Sequence, residues 1–253
     1  MLTEDQIAQY HRNGYVIPDY RTDSYTMNAI KADHERLLKN HPEFHDYCGA
    51  LLVYDLGFLN YARNPDILDM VEQLIGPNIA LWNSSLFAKP ARVGTRTPWH
   101  QDGEYWPIKP LATCSVWIAL DDSTIENGCL KFLPGSHGKK ELEAHHFNYA
   151  DGLSLPLELD KKFIDETKAV DIVLEAGQIS LHDVFLMHAS EPNRSDKPRR
   201  AMTLRFMPTT SVYHHHSKED LSINAALSTT NKQRSVFLIR GKDVSGKNDF
   251  RVR

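Results

Sequence analysis

The residues best suited to chemistry fall in three short segments. The first is Trp99-His100-Gln101-Asp102, an HxD triplet. On an extended strand residues i and i+2 face the same way, so His100 and Asp102 can offer an imidazole nitrogen and a carboxylate oxygen to one ion. A chain of this composition contains about one such triplet by chance, so the pair needs a third partner. The second segment, Ser180-Leu181-His182-Asp183-Val184-Phe185-Leu186-Met187-His188, supplies two candidates, His182 and His188. Either would complete a set of two imidazoles and one carboxylate. That set suits Fe(II) and leaves the opposite face of the ion open to a bidentate co-substrate and O2. The third segment is Arg199-Arg200-Ala201-Met202-Thr203-Leu204-Arg205, in which Arg199 follows His188 by eleven positions. An arginine on a barrel strand is costly to bury without an anion, and its planar fork matches a carboxylate.

These residues need a scaffold, and the chain is long enough to build one. It has 253 residues, 41% hydrophobic and 25% charged, near globular averages. Lys and Arg number 29 against 33 Asp and Glu, a net charge of -4. With no positive excess, nucleic acid and anionic membranes are poor partners, and a small molecule is the expected one. Cys48, Cys114 and Cys129 form neither a disulfide framework nor a CxxC site, and suit a reducing compartment. The acidic N-terminus lacks a signal-peptide core, and the most apolar run, 114–120, is too short to span a bilayer. The expectation is a cytoplasmic protein; oligomeric state is not legible.

Residues 1–78 read as mostly helical. Thr3 and Gln6 form a capping box, Gly14 stops the first helix, a second runs over about 24–39, and Asn64-Pro65 opens a third that ends at Gly76. Beyond residue 78 the pattern turns to strands, expected at 79–88, 113–120, 129–133, 170–174, 178–182 and 201–207 and separated by turns such as Asn127-Gly128. Strands not interleaved with helices argue against a Rossmann sheet and for an antiparallel barrel or sandwich with helices outside. The expected organisation is a single domain: a β core over 79–208 with a polar insertion near 138–168, then a C-terminal extension over 209–253. That insertion reads as a functional loop or a surface insertion, and the basic stretch 231–253 as a solvated strand and tail.

Several motifs in order resemble one family. The HQD at 100–102, Asn127-Gly128-Cys129-Leu130, Leu133-Pro134-Gly135-Ser136-His137, and His188-Ala189-Ser190 followed by Asn193, Ser195 and Arg199-Arg200 are similar to the phytanoyl-CoA dioxygenase family, as is the opening TEDQIAQYHRNGYVIPDY. The resemblance covers roughly 3–208. It implies a mainly β protein with flanking helices, built on a double-stranded β-helix (jelly-roll, cupin-like) core. It also implies an oxygenase using Fe(II), 2-oxoglutarate and O2 and releasing succinate and CO2. Carried over by position, His100, Asp102 and His188 match the iron ligands, and His182 does not. Arg199 matches the arginine that binds the far carboxylate of 2-oxoglutarate, Ser190 the hydroxyl beside it, and Trp117 and Asn83 further co-substrate contacts. Related halogenases carry a small residue where this chain has Asp102, so hydroxylation or a related oxidation is implied.

For the substrate pocket the candidates are Tyr105 and Trp106 after the HxD, Arg92 and Arg96 on the loop before it, and His137. They favour a small polar or anionic metabolite: amino-acid-like, betaine-like or an alkylphosphonate. An acyl-CoA or natural-product hydroxylase of the same family is the alternative. A zinc hydrolase and a non-catalytic metal-binding barrel are the rivals from other classes. His214-His215-His216 resembles a metal tract, but neighbours on a strand face opposite sides.

Overall fold

The computed structural model of the chain describes residues 1–215 and 231–252, and of Tyr105 the backbone alone. Among these residues the helices are α1 (Glu4–Asn13), α2 (Ser24–Asn40), α3 (Leu51–Tyr54) and α4 (Pro65–Ile75). The strands, in chain order, are β1 (Tyr15–Val16), β2 (Tyr47–Cys48), β3 (Ile79–Phe87), β4 (Thr97–His100), β5 (Ile108–Lys109), β6 (Cys114–Ala119), β7 (Leu130–Phe132), β8 (His145–Phe147), β9 (Leu157–Leu159), β10 (Val170–Ile172), β11 (Ile179–Asp183), β12 (His188–Ser190), β13 (Ala201–Pro208), β14 (Val212–Tyr213) and β15 (Phe237–Arg240).

The caps read from the sequence are in place. Thr3 Oγ1 accepts from the Gln6 amide at 3.2 Å while Gln6 Oε1 accepts from the Thr3 amide at 3.0 Å. Gly14 closes α1 at φ 84°, and Asn64 caps α4 ahead of Pro65. Asp23, rather than a later residue, caps α2.

Two antiparallel sheets make the jelly-roll core. The larger runs β1-β11-β6-β13-β3-β15, with β2 also on β3; the smaller runs β10-β7-β12-β4. Alternation along the large sheet divides its faces. Cys114, Val116 and Ile118 of β6, Ile179 and Leu181 of β11, and Met202, Leu204 and Phe206 of β13 pack outward against Ile30, Phe58, Ile67 and Val71 of the helical layer. Trp117 and Ala119 turn inward to meet Leu130, Phe132 and Ile172 of the small sheet.

Register then lines up polar side chains across the inner face. His182 pairs with Ser115, Ser115 with Arg205, and Arg205 with Asn83; one step along, Trp117 pairs with Thr203 and Thr203 with Ser85. These rows sit opposite β12 and β4, where His188 pairs with His100.

The 138–168 insertion is built into the fold rather than lying loose on it. β8 and β9 form a hairpin, Leu157 and Leu159 are buried, and Ser154 bonds back to Arg96 beside β4. The C-terminal stretch holds the expected strand and an exposed tail, but its beginning is not solvated. β15 adds to β3 at the sheet edge, and Asn231, Arg234 and Val236 are buried.

The Asn127-Gly128 turn shows how tightly the core sets its loops. Gly128 has φ 80°, and a Cβ there would collide with the Glu191 carbonyl oxygen just beyond β12. Gly128→Ala should therefore lower stability by about 1–3 kcal/mol from backbone strain, before the clash is added. Denaturant unfolding checks this, and an unchanged midpoint would contradict it.

Candidate active site

His100 ends β4, and its cross-strand partner His188 begins β12, so the register alone brings the two rings to 4.1 Å between centroids. Asp102 does not lie on the strand as the HxD alternation implied. It opens a single 3-10 turn over Asp102–Tyr105, and that turn swings its carboxylate back toward the rings. His100 Nδ1 donates to the Pro98 carbonyl at 2.8 Å and His188 Nδ1 to the Leu186 carbonyl at 2.9 Å. A carbonyl only accepts, so Nδ1 carries the proton of each neutral ring and Nε2 is the nitrogen whose lone pair a metal would take. Those Nε2 atoms lie 3.6 and 3.9 Å from Asp102 Oδ1. Ligand atoms of all three residues fall within 4.8 Å of one another, and all three side chains are buried.

The electrostatics keep these groups in the ligating form. Burial, and then the neighbouring His100, hold the His188 imidazolium well below its ordinary pKa. Burial alone would raise Asp102, but the Arg205 guanidinium, then His100 and His182 beside it, pull it well below the carboxylate range.

His182, the other imidazole of its segment, stands on β11 with Nε2 3.7 Å from Asp102 Oδ2. Ser115 Oγ donates to the same oxygen at 3.4 Å. His182 thus faces the back of the carboxylate and is not part of the converging set of three.

Next to the triad runs a narrow cleft lined by Thr97, Trp117, Leu130, Ser190, Arg199 and Thr203. Arg199 is 1% exposed, and its Nε and Nη1 have no hydrogen-bond partner. Its guanidinium carbon lies 5.5 Å from the centre of the Trp117 ring. Burial lowers its pKa to about 10, which still leaves it charged at neutral pH. A buried cation with unused donors calls for an anion. Lys89 does not supply a second full charge. Its Nζ donates to the carbonyls of Ser190 and Glu191, and burial, then Arg199, push its pKa down to about 6.

A wider cavity of about 290 Å³ opens on the other side of Asp102 and Arg205, walled by Tyr47, Asn83, Trp106, Leu155, Asn231 and Arg234 among others. The structure sorts the remaining candidates. Trp106 lines this cavity, and Trp117 lines the cleft. Asn83 faces the cavity rather than the Arg199 cleft, and its amide donates to the Gly49 carbonyl at 3.0 Å. Arg92, on a loop with φ 67°, points to solvent and pairs with Asp196 at 2.5 Å. Arg96 is held at 2.9 Å by Glu158, outside the lining of either space. His137 bonds the His11 carbonyl at 3.0 Å and ties α1 to its turn. The side chain of Tyr105 and all of His216 lie outside the described residues. His214 is exposed while His215 is buried with Nε2 2.8 Å from the Arg234 carbonyl, so the histidine run does not gather on one face. Arg205 and Arg234 were not singled out from the sequence as site residues. The charge at 205 on an otherwise apolar, alternating strand was the available signal for the first.

Residues 2–201 match the model of the phytanoyl-CoA dioxygenase (PhyH) family. The chain belongs to the phytanoyl-CoA dioxygenase family. It is 27% identical over 256 residues to the "phytanoyl-CoA dioxygenase domain-containing protein 1 homolog" of Dictyostelium discoideum, covering 81% of this chain and 91% of that one. It is 34% identical over 158 residues to the human peroxisomal phytanoyl-CoA dioxygenase, but the match covers 60% of this chain and only 46% of the human protein. It is 32% identical over 149 residues to a "probable alpha-ketoglutarate-dependent hypophosphite dioxygenase" of Stutzerimonas stutzeri, covering 57% of this chain and 50% of that one. Among solved structures, the non-heme monooxygenase ThoJ superposes with a TM-score of 0.76 at 25% identity over 98% of this chain and 88% of that one. Family membership makes this a non-haem iron, 2-oxoglutarate-dependent oxygenase. The residues present fit both groups: three converging donors of the right types for Fe(II), and a buried guanidinium with unused donors for a carboxylate.

Proposed function

We propose that His100, Asp102 and His188 hold the iron, that Arg199 and Ser190 hold the far carboxylate of 2-oxoglutarate, and that the enzyme hydroxylates a small polar or anionic metabolite. The observation that carries the co-substrate assignment is the buried guanidinium of Arg199, whose Nε and Nη1 have no partner, in the cleft that the triad also lines. When bound, the iron with 2-oxoglutarate and O2 supplies oxidation of a C–H bond and release of succinate and CO2. The chain's part is to place and to exclude. Carbonyl bonds at Nδ1 fix both rings, and His182 and Ser115 hold the back of Asp102. Trp117 gives Arg199 a flat apolar wall that keeps water from its donors. Asn83 belongs with the substrate on this reading, since it faces the wider cavity.

Cavity size supports a small substrate. At about 290 Å³ it sits at the lower edge of the usual range for ligand pockets, about 300–1,000 Å³. The Stutzerimonas relative is named for a small anion, hypophosphite. A zinc hydrolase would leave Arg199 without a task. Three free, buried cysteines suit the cytoplasm, and among the described residues no helix is long and apolar enough to cross a membrane.

Succinate formation by the iron-loaded protein tests the substrate class. Small amino acids, betaines or phosphonates should stimulate it well above the level seen without substrate, and long-chain acyl-CoA esters should not. Turnover of a long-chain acyl-CoA, with none from the small polar compounds, would overturn the substrate class and leave the oxygenase standing.

A further inference from the structure

Two guanidinium groups line the wider cavity, and neither meets a carboxylate in an ion pair among the described residues. Arg205 is 5% exposed. It stands on β13 between Ser115 and Asn83, and its Nη1 donates to Ser85 Oγ at 2.5 Å and Thr203 Oγ1 at 2.9 Å. Its Nε has no partner, and its carbon lies 5.2 Å from the centre of the Trp106 ring. Arg234 is 8% exposed and comes from the segment leading into β15. Its Nη2 donates to the Gly49 carbonyl at 3.3 Å, while Nε and Nη1 have no partner, and it lies 5.4 Å from the centre of the Trp82 ring. His215 holds the Arg234 carbonyl from behind at 2.8 Å. Aromatic rings thus support both forks, and donors on both remain unused.

The charges on either side of Asp102 do not balance alike. Around the iron, two positive charges on the ion and one on Arg199 are matched by one negative charge on Asp102 and two on 2-oxoglutarate. Asp102 is also the only acidic residue among the described ones lining the wider cavity. Among the described residues, Arg205 and Arg234 are therefore left with two positive charges and no carboxylate beyond the one already counted with the iron. Burying like charges side by side is unfavourable, and it persists where a ligand supplies the counter-charge.

We infer that Arg205 and Arg234 form an anion subsite, and that the substrate is a small molecule whose headgroup carries two negative charges, with its oxidisable carbon toward Asp102. This rests on the proposed placement of iron at His100, Asp102 and His188 and of 2-oxoglutarate at Arg199. Arg205 borders both spaces, so it orients the headgroup relative to the iron, while Arg234 touches only the substrate side.

The test is calorimetric titration of ethylphosphonate into the anaerobic protein loaded with Fe(II) and 2-oxoglutarate, at a pH above the second ionisation of the phosphonate. Ethylphosphonate should bind saturably, and singly charged propionate about tenfold more weakly or worse. Arg234→Gln should weaken ethylphosphonate by about tenfold or more, and Arg234→Lys by less, because lysine keeps the charge without the fork. The 2-oxoglutarate affinity of both variants, titrated first, should stay within about threefold of the parent; retention there also shows that the variants are folded. Absence of ethylphosphonate binding to the parent would overturn the inference. So would equal affinity for propionate, or binding to Arg234→Gln as tight as to the parent. Failure of the parent to take up 2-oxoglutarate in the first titration would overturn the placement beneath it as well, so the two failures are told apart by the step at which they occur.

Discussion

Arg199→Ala is expected to raise the 2-oxoglutarate concentration needed for half-maximal turnover by roughly tens to thousands of fold, with iron binding nearly intact. The size follows from losing a charge-assisted, bidentate contact in a buried site, about 2–5 kcal/mol. Iron is spared because Arg199 is not among the converging ligand atoms. Arg199→Lys should recover only part of the loss, since an ammonium cannot form two parallel bonds. Thermal melting gives a second readout that does not depend on turnover. A ligand at a hundred times its Kd stabilises a protein by about 2.7 kcal/mol, so 2-oxoglutarate with a redox-inert divalent metal should raise the parent's Tm. That rise should vanish in Arg199→Ala at the same concentration. The variant itself should fold, because the guanidinium it loses is buried without using its Nε and Nη1 donors. A parent-like 2-oxoglutarate dependence in Arg199→Ala would remove the main support for the co-substrate site.

His100→Ala, Asp102→Ala and His188→Ala should each lower turnover by about a thousandfold or more, because each removes one of the three protein bonds proposed for the ion. The fold should survive all three. The apolar packing that holds α1, α2 and α4 to the large sheet uses the opposite face of that sheet and contains none of the three residues. Circular dichroism and a cooperative melt check the fold, and succinate formation checks the activity. Turnover near the parent's in any of the three would remove that residue from the iron site.

Much of the scaffold was legible because local chemistry fixes it. Thr3, Gln6 and Gly14 delimit α1, and Asn64-Pro65 and Gly76 delimit α4, whatever the helices pack against. The β6 run was legible as a strand but not as a pocket wall. It is buried on both faces, so Val116 and Trp117 look equally suited to a core. Only pairing with β11 and β13 shows that Ser115 and Trp117 face the site. The β8–β9 hairpin was illegible because its buried residues are few and its surroundings polar.

The site divides in the same way. Spacing and motif order pointed to His100, Asp102, His188 and Arg199, and the structure gathers all four around one cleft. Asp102 converges with His100 as expected, but a turn and not strand alternation carries it there. The loop arginines Arg92 and Arg96 looked close to the iron in sequence, yet Asp196 and Glu158 engage them elsewhere. Arg234 gave no sequence signal at all. Its segment is basic and resembles a solvated tail, and its position depends on the chain returning along β3, more than 140 residues downstream of that strand.

Anaerobic Fe(II) titration of the parent, His182→Ala and His188→Ala tests the ligand set most directly, since His182 and His188 are the two imidazoles between which the chemistry alone did not choose. The parent should take up one equivalent of iron. His182→Ala should still saturate at one equivalent, weakened by about 10–100-fold at most, as expected for a residue that steadies a ligand. His188→Ala should show no saturable uptake over the same range. Loss of iron from His182→Ala with retention in His188→Ala would contradict the assignment.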